Sequence, residues 1–254
     1  MERFVVKPNL PQGRVKSVIM GSGYRELETA LAELGIKAIC IANNDGVAAP
    51  VRAHADMSAY YCGNGELIIS KNIFDSCDLK MFPSGTVLRC SNVGQAEKYP
   101  LDIGLNACEV GDVIFCSIEN TDAAILEHAE KHGKKLINVR QGYAKCSVCV
   151  LDEKHIITAD KSIAEAAQNA GVEVLLIEPG FFELPGYDYG FIGGSCFKYN
   201  ADTIAFTGSL DGHSNKESIL KFVKNLGIKV VYLTNKRCFD VGSILPLTER
   251  KEQD

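Results

Sequence analysis

No stretch of the chain approaches about 18 unbroken apolar residues, which excludes a membrane-spanning helix. The first residues, MERFVVKPNLPQGR, hold neither an apolar core nor a small-residue cleavage site, so the expectation is a cytoplasmic protein with no membrane partner. An excess of basic charge is also missing. Lys and Arg total 27 against 32 Asp and Glu, a net charge of −5, which excludes a nucleic-acid binder built on a basic face. Phosphate-cradling loops are absent: neither G-x-G-x-x-G nor G-x-x-x-x-G-K-[ST] occurs, and Gly190-Phe-Ile-Gly193-Gly194 precedes a strand pattern instead of opening a helix. No H-E-x-x-H occurs either, and no metal or cofactor is expected. What remains is a 254-residue chain, 46% apolar and 23% charged, the composition of an ordinary folded protein.

Cysteine is plentiful, at ten residues. Most lie among apolar neighbours, as Cys40 in KAICIA, Cys90 in VLRCS and Cys116 in VIFCS, where a free thiol acts as a small hydrophobe. Cys146-Ser-Val-Cys149 has C-x-x-C spacing but reads as part of a strand. Its two thiols would then face opposite sides, and no second Cys/His pair stands nearby.

The chain repeats. ETALAELGIKAICIA, ILEHAEKHGKKLINV, IAEAAQNAGVEVLLI and ILKFVKNLGIKVVYL each read as an amphipathic helix, a glycine stop (Gly35, Gly133, Gly171, Gly227) and an apolar strand. NIFDSCDLKMFPSGTVLRC, with Gly85, is a degenerate fifth copy, and the glycines recur about every 50 residues. Upstream of each helix lies a short apolar strand (KSVIMGS, GELIIS, DVIFCS, HIITA, DTIAFTG), with helix caps plainest at Thr121-Asp122 and Asp160-Lys-Ser162. In the second to fifth units another strand precedes it (SAYYC, GLNAC, CSVCV, SCFKY), joined by turn residues such as Gly63-Asn-Gly65.

The unit is therefore β-β-α-β, over approximately 13–54, 55–98, 99–140, 141–187 and 188–236. The first unit lacks its first strand, and a closing strand at 239–248 would supply it, making an α/β ring in a single domain over 1–254. A doubly wound sheet also alternates strands with helices. It does not require a hairpin before every helix.

A ring of five such units resembles the pentein fold, the five-bladed pseudo-symmetric α/β propeller of guanidino-group-modifying enzymes. The superfamily includes deiminases, dimethylarginine hydrolases, amidinotransferases and a non-enzymatic ribosome anti-association factor. His54-Ala-Asp56-Met57, Gly190-Phe-Ile-Gly-Gly-Ser-Cys196 and Asp240-Val-Gly242 through Pro246-Leu247 also look like a bacterial branch of that fold without an assigned reaction. The resemblance implies a cysteine near the C-terminus that attacks a guanidino carbon, a His-x-Asp pair and further carboxylates, and hence a small cationic guanidino ligand. Aligned carboxylates can bind the planar guanidinium bidentately. His54-Ala-Asp56 has the His-x-Asp form, though earlier in the chain than in the enzymes. The deiminase ending resembles Cys-Met-Ser-Met-Pro-Leu, and matching it to Pro246-Leu247 puts Gly242 where the nucleophile is expected. Cys238 and Ser243 flank that position.

The candidates are His54 and Cys238 as catalytic groups, and Asp56, Asp102 and Asp240 for the cation. Asp56 and Asp102 are expected at equivalent places at the mouth ends of first strands; capping a turn is the alternative for each Asp. Lys236-Arg237 could lower the Cys238 thiol. Cys196, Lys145 and Asn106 fall on first-strand segments. His128 and His132 are expected on a solvated helix face, and His155 and His213 beside turns. Two functions fit: a hydrolase- or amidinotransferase-type enzyme acting on a guanidino or amidino compound, or a non-catalytic pentein that binds through the same mouth.

Overall fold

A computed structural model describes residues 1–91 and 96–251; the end of the second expected unit, at 92–95, and residues 252–254 lie outside the described residues. The first unit contains β1 (Glu2–Phe4), β2 (Arg14–Gly21), α1 (Arg25–Glu33) and β3 (Lys37–Ile41). The second contains β4 (Ala59–Gly63), β5 (Glu66–Ile69), the short α2 (Lys71–Ser76) and β6 (Val87–Cys90). The third contains β7 (Cys108–Val110), β8 (Val113–Cys116), α3 (Ala123–Lys131) and β9 (Lys135–Asn138). The fourth opens with a helical turn, α4 (Ala144–Ser147), then β10 (Val148–Val150), β11 (His155–Thr158), α5 (Lys161–Asn169) and β12 (Glu173–Leu176). The fifth contains β13 (Cys196–Asn200), β14 (Thr203–Phe206), α6 (Lys216–Asn225) and β15 (Lys229–Tyr232), and β16 (Leu245–Arg250) follows it.

Each unit folds onto itself as its pattern dictates. In the second to fifth units the first strand pairs antiparallel with the second through a tight turn, and in every unit the third strand lies parallel to the second. Gly35, Gly133, Gly171 and Gly227 end their helices at φ of 71°, 62°, 80° and 72°, values that cost other residues strain. Asp122 and Asp160 cap α3 and α5 by accepting from Ala124 N and Ile163 N, each at 2.8 Å.

The ring closes in two independent ways. Strand β16 inserts antiparallel between β1 and β2, so the last strand completes the first sheet. The apolar clusters also form a cycle: separate cores join the first sheet to the second, second to third, third to fourth, fourth to fifth and fifth back to first. Hydrophobic burial therefore acts across every unit boundary. The structure is the five-bladed α/β propeller.

Local corrections concern strand ends. The closing strand begins at Leu245, because 239–244 forms a loop with Gly242 and Ser243 at φ of 68° and 70°. Cys146 lies in α4, not in a strand, and strand structure starts at Val148.

Closure places Glu249 with no exposure, where it accepts from Gln12 N at 2.6 Å, Gly13 N at 2.8 Å and Arg3 Nε at 2.9 Å. Truncating it orphans donors inside the protein, so Glu249→Ala is expected to cost about 2 kcal/mol in urea unfolding. An unchanged midpoint would mean that this seam does not stabilise the ring.

Candidate active site

The turn leading into the first strand of each unit contributes to one buried polar cluster. Two or three residues before the strand stand Asp56, Asn106, Lys145 with Cys146, Gly193 with Gly194, and Gly242 with Ser243. The cluster is tightly bonded. The Cys146 thiol donates to Asp56 Oδ2 at 3.0 Å, and Ser243 Oγ donates to the same oxygen at 2.5 Å. Lys145 Nζ donates to Ser243 Oγ at 3.1 Å. Asn106 Nδ2 donates to Cys146 Sγ at 3.2 Å, while its Oδ1 accepts from Lys145 N at 2.8 Å. Asp56 N donates to Gly242 O at 2.9 Å, tying the second unit to the closing loop. Ser243 is a non-glycine residue held at positive φ, a local strain typical of functional sites.

His54 stands against this cluster, 1% exposed, at the start of the short turn Ala55–Met57. Among the described residues neither ring nitrogen makes a hydrogen bond, and its Nδ1 lies 4.0 Å from Asp240 Oδ1. Burial lowers the His54 pKa against the opposing pull of Asp56, so the imidazole is neutral. Burial raises the Asp56 carboxyl, with Asp240 adding to the rise and His54 opposing it. Asp240 is pushed up by burial to about 6, restrained by the amides of Gly242 and Phe191, which donate to its two oxygens at 2.8 Å each. It is therefore ionised at neutral pH. Burial, aided by Asp56 and Asp240, drives the Cys146 thiol well above its ordinary range.

The cluster meets solvent through a cavity of about 260 Å³ lined by residues that include His54, Cys146, Asp240, Tyr143, Tyr189 and Phe191. Asp188 and Tyr187 also reach its wall. The chemistry suits a small cation: buried carboxylate at the base, aromatic faces around it. On the far side of the cluster, Pro8 and Asn9 leave a space of only about 20 Å³ beside Lys145, and Asn9 Nδ2 donates to Glu109 O at 3.0 Å.

A family model described as a family of unknown function (DUF6873) matches residues 18–245. The chain belongs to this family. Among solved structures, the DUF6873 chain is similar to the inosamine-phosphate amidinotransferase of Streptomyces griseus, at 11% identity and a TM-score of 0.58, covering 99% of this chain and 98% of that one. It is also similar to the agmatine deiminase of C. jejuni, at 11% identity and a TM-score of 0.54, covering 91% of each. These likenesses show the pentein fold. No curated protein sequence matches the chain.

Within this DUF6873 pentein, the structure explains Gly242. A Cβ there would lie 2.1 Å from His54 Cβ and 2.2 Å from His54 Cγ, at a φ of +68°. The His54 side chain fills the space a cysteine would need. The thiol that meets His54 and Asp56 is Cys146, entering from the fourth unit. Atoms of His54, Asp56 and Cys146 all lie within 4.8 Å of one another.

Of the expected site residues, His54, Asp56 and Asp240 come together. Cys238 does not join them. It is fully buried in the core between the fourth and fifth sheets, beside Thr207 Oγ1 at 3.4 Å, and burial pushes its thiol up to about 12 despite the neighbouring Lys236 and Arg237. Asp102 stands one step back, accepting from Tyr143 Oη at 2.8 Å; the turn position comparable to Asp56 belongs to Asn106. Cys196 is a buried strand residue. His128 is 2% exposed, its Nε2 3.6 Å from Glu109 Oε2, which corrects its placement on a solvated face; His132 is exposed.

Sequence reading missed Cys146 because VCV hid the helical turn before it. The signal was its offset: Cys146 precedes its strand as Asp56 precedes β4.

Buried neutral thiols have a measurable consequence. Cys108 and Cys238, both raised to about 12, keep protons in the folded state that the unfolded chain releases above about 9. Stability is thus full below pH 9 and falls as pH rises from 9 towards 12, by about 1.4 kcal/mol per pH unit for each thiol. Urea midpoints should drop between pH 8 and pH 10; constant midpoints would contradict this.

Proposed function

We propose that the chain is an enzyme that acts on a small guanidino or amidino compound through a covalent intermediate on Cys146. The observation that carries this reading is the meeting of Cys146, His54 and Asp56 on a cavity that also presents the ionised Asp240. Two similar structures are named for amidino transfer and agmatine deimination, which supports the substrate class.

In the proposed reaction, the guanidinium carbon sits over Cys146 Sγ while Asp240 offsets its charge and the aromatic walls exclude water. Neutral His54 accepts the thiol proton, and the thiolate adds to the carbon. The C–N bond to the leaving amine then breaks as the imidazolium returns that proton to nitrogen, leaving an amidino group on sulfur. Water, losing a proton to His54, or an acceptor amine then adds to the carbon and expels the thiolate, which regains its proton. Asn106 and Ser243 position the thiol and Asp56. The bound cation lowers the cost of forming a thiolate whose resting pKa is raised.

The test is incubation with a panel of small guanidino compounds, followed by acid quenching and intact-mass analysis. An amidino adduct that maps to Cys146, with release of ammonia or amine, supports the proposal. Absence of both across the panel contradicts it. A second reading, a non-catalytic cation-binding pentein, is favoured by one observation: the resting thiol proton is already held by Asp56. Calorimetric binding of a guanidino compound without adduct or product would select it.

A further inference from the structure

The trio has a second chemical capacity that needs no turnover. It offers imidazole nitrogen, thiol sulfur and carboxylate oxygen, the donor mixture of tetrahedral zinc sites that keep one position open. Both His54 nitrogens and Asp56 Oδ1 are buried without a hydrogen bond among the described residues, an arrangement that ordinarily costs free energy unless a ligand meets them. The donors come from two separate turns, one before β4 and one at α4, and are held by a supporting shell. Ser243 fixes Asp56, and Asn106 fixes Cys146. Such outer contacts orient metal ligands. His54 and Cys146 also line the cavity, which gives an ion a path inward and leaves room for a fourth ligand.

We infer that His54, Asp56 and Cys146 bind one thiophilic divalent cation of the zinc type, with its fourth position facing the cavity, and that this cation excludes covalent chemistry at Cys146. Binding releases the thiol proton to solvent and forms a metal–sulfur bond with no change of oxidation state. Coordination withdraws charge from the sulfur and lowers its nucleophilicity, and the metal's positive charge repels a guanidinium from the same place. Only the exclusion clause rests on the proposed function; metal binding stands on the geometry alone.

The probe is Co²⁺ added to the full-length protein, because thiolate ligation gives a sulfur-to-cobalt charge-transfer band and tetrahedral coordination gives visible d–d bands. The expected result is one equivalent bound, displaced by one equivalent of Zn²⁺. The band is lost in Cys146→Ser, and affinity falls at least 100-fold in His54→Gln. Cys238→Ser and His155→Gln, away from the cavity, bind as the parent does. Thermal melting of each metal-free variant confirms folding. Zn²⁺ should also protect Cys146 from alkylation, a readout independent of any substrate. No charge-transfer band, a band that survives in Cys146→Ser, or alkylation unaffected by Zn²⁺ would overturn the inference. If an amidino adduct forms on Cys146 but no metal binds, this inference alone fails. If metal binds and no guanidino compound forms an adduct, the proposed function alone fails.

Discussion

Cys146→Ser removes the amidino adduct and lowers kcat/KM for a guanidino substrate by about 10³-fold or more, the scale seen when a nucleophile is deleted. The serine is close in volume and keeps donor contact with Asp56, so urea unfolding should shift by less than about 1.5 kcal/mol. Cys238→Ser should behave in the opposite way. Its site lies in the core between the fourth and fifth sheets, so kcat/KM is retained, while the buried hydroxyl lowers stability by about 1 kcal/mol. Steady-state rates and unfolding midpoints on both variants separate the chemistry from the packing. Loss of activity in Cys238→Ser with retention in Cys146→Ser would reverse the assignment.

Gly242→Cys, which places a cysteine at the register where the deiminase ending would put one, is expected to damage the protein without creating activity. The new Cβ would meet His54 Cβ at 2.1 Å, and the residue would have to hold a φ of +68°. Overpacking and left-handed strain together should cost about 3–4 kcal/mol. Part of that cost should return in the double variant Gly242→Cys with His54→Gly, because both colliding side-chain atoms are then removed and only the His54 Cα, at 2.3 Å, is left to shift; the two changes are therefore coupled. Thermal or urea unfolding of the four proteins measures the coupling. A stable single variant with raised turnover would show that His54 does not occupy the nucleophile's space.

The ring was legible because its causes are local and repeated. Each glycine stop, helix stripe and turn acts within one unit, and the apolar faces leave every unit one partner short on each side. That pattern also located the missing first strand at the C-terminus, although the start of β16 shifted to Leu245 because the paired positive φ values at Gly242 and Ser243 interrupt extension. His54 and Asp56 were singled out because the resemblance implied a His-x-Asp pair, and Asp240 because carboxylates at strand ends suit cation chemistry; the structure sets His54 and Asp240 on one cavity, with Asp56 beside His54. Cys146 was not, since a residue in a single helical turn carries no periodicity of its own. Its partners Asn106 and Asp56 lie 40 and 90 residues away in sequence, and Ser243, which shares Asp56 with it, lies 97 away; only ring closure brings these groups together. The Asp102 placement differed because aligning the hairpins with GLNAC as a strand set Asp102 level with Asp56, whereas the strand starts only at Cys108 and the equivalent turn position is Asn106.

The central claim is that Cys146 is a thiol aimed at a bound amidinium-type cation. Chloroacetamidine joins that cation to an alkyl chloride; chloroacetamide is its neutral counterpart. Attack by Cys146 forms a carbon–sulfur bond, releases chloride and passes the thiol proton to His54. Labelling followed by peptide mapping should show chloroacetamidine on Cys146, at least about 100-fold faster than chloroacetamide labels it, the gain expected from a positioned cation. The preference should be lost in Asp240→Asn. Equal rates for the two reagents at Cys146, or preferential modification of another cysteine, would contradict the account.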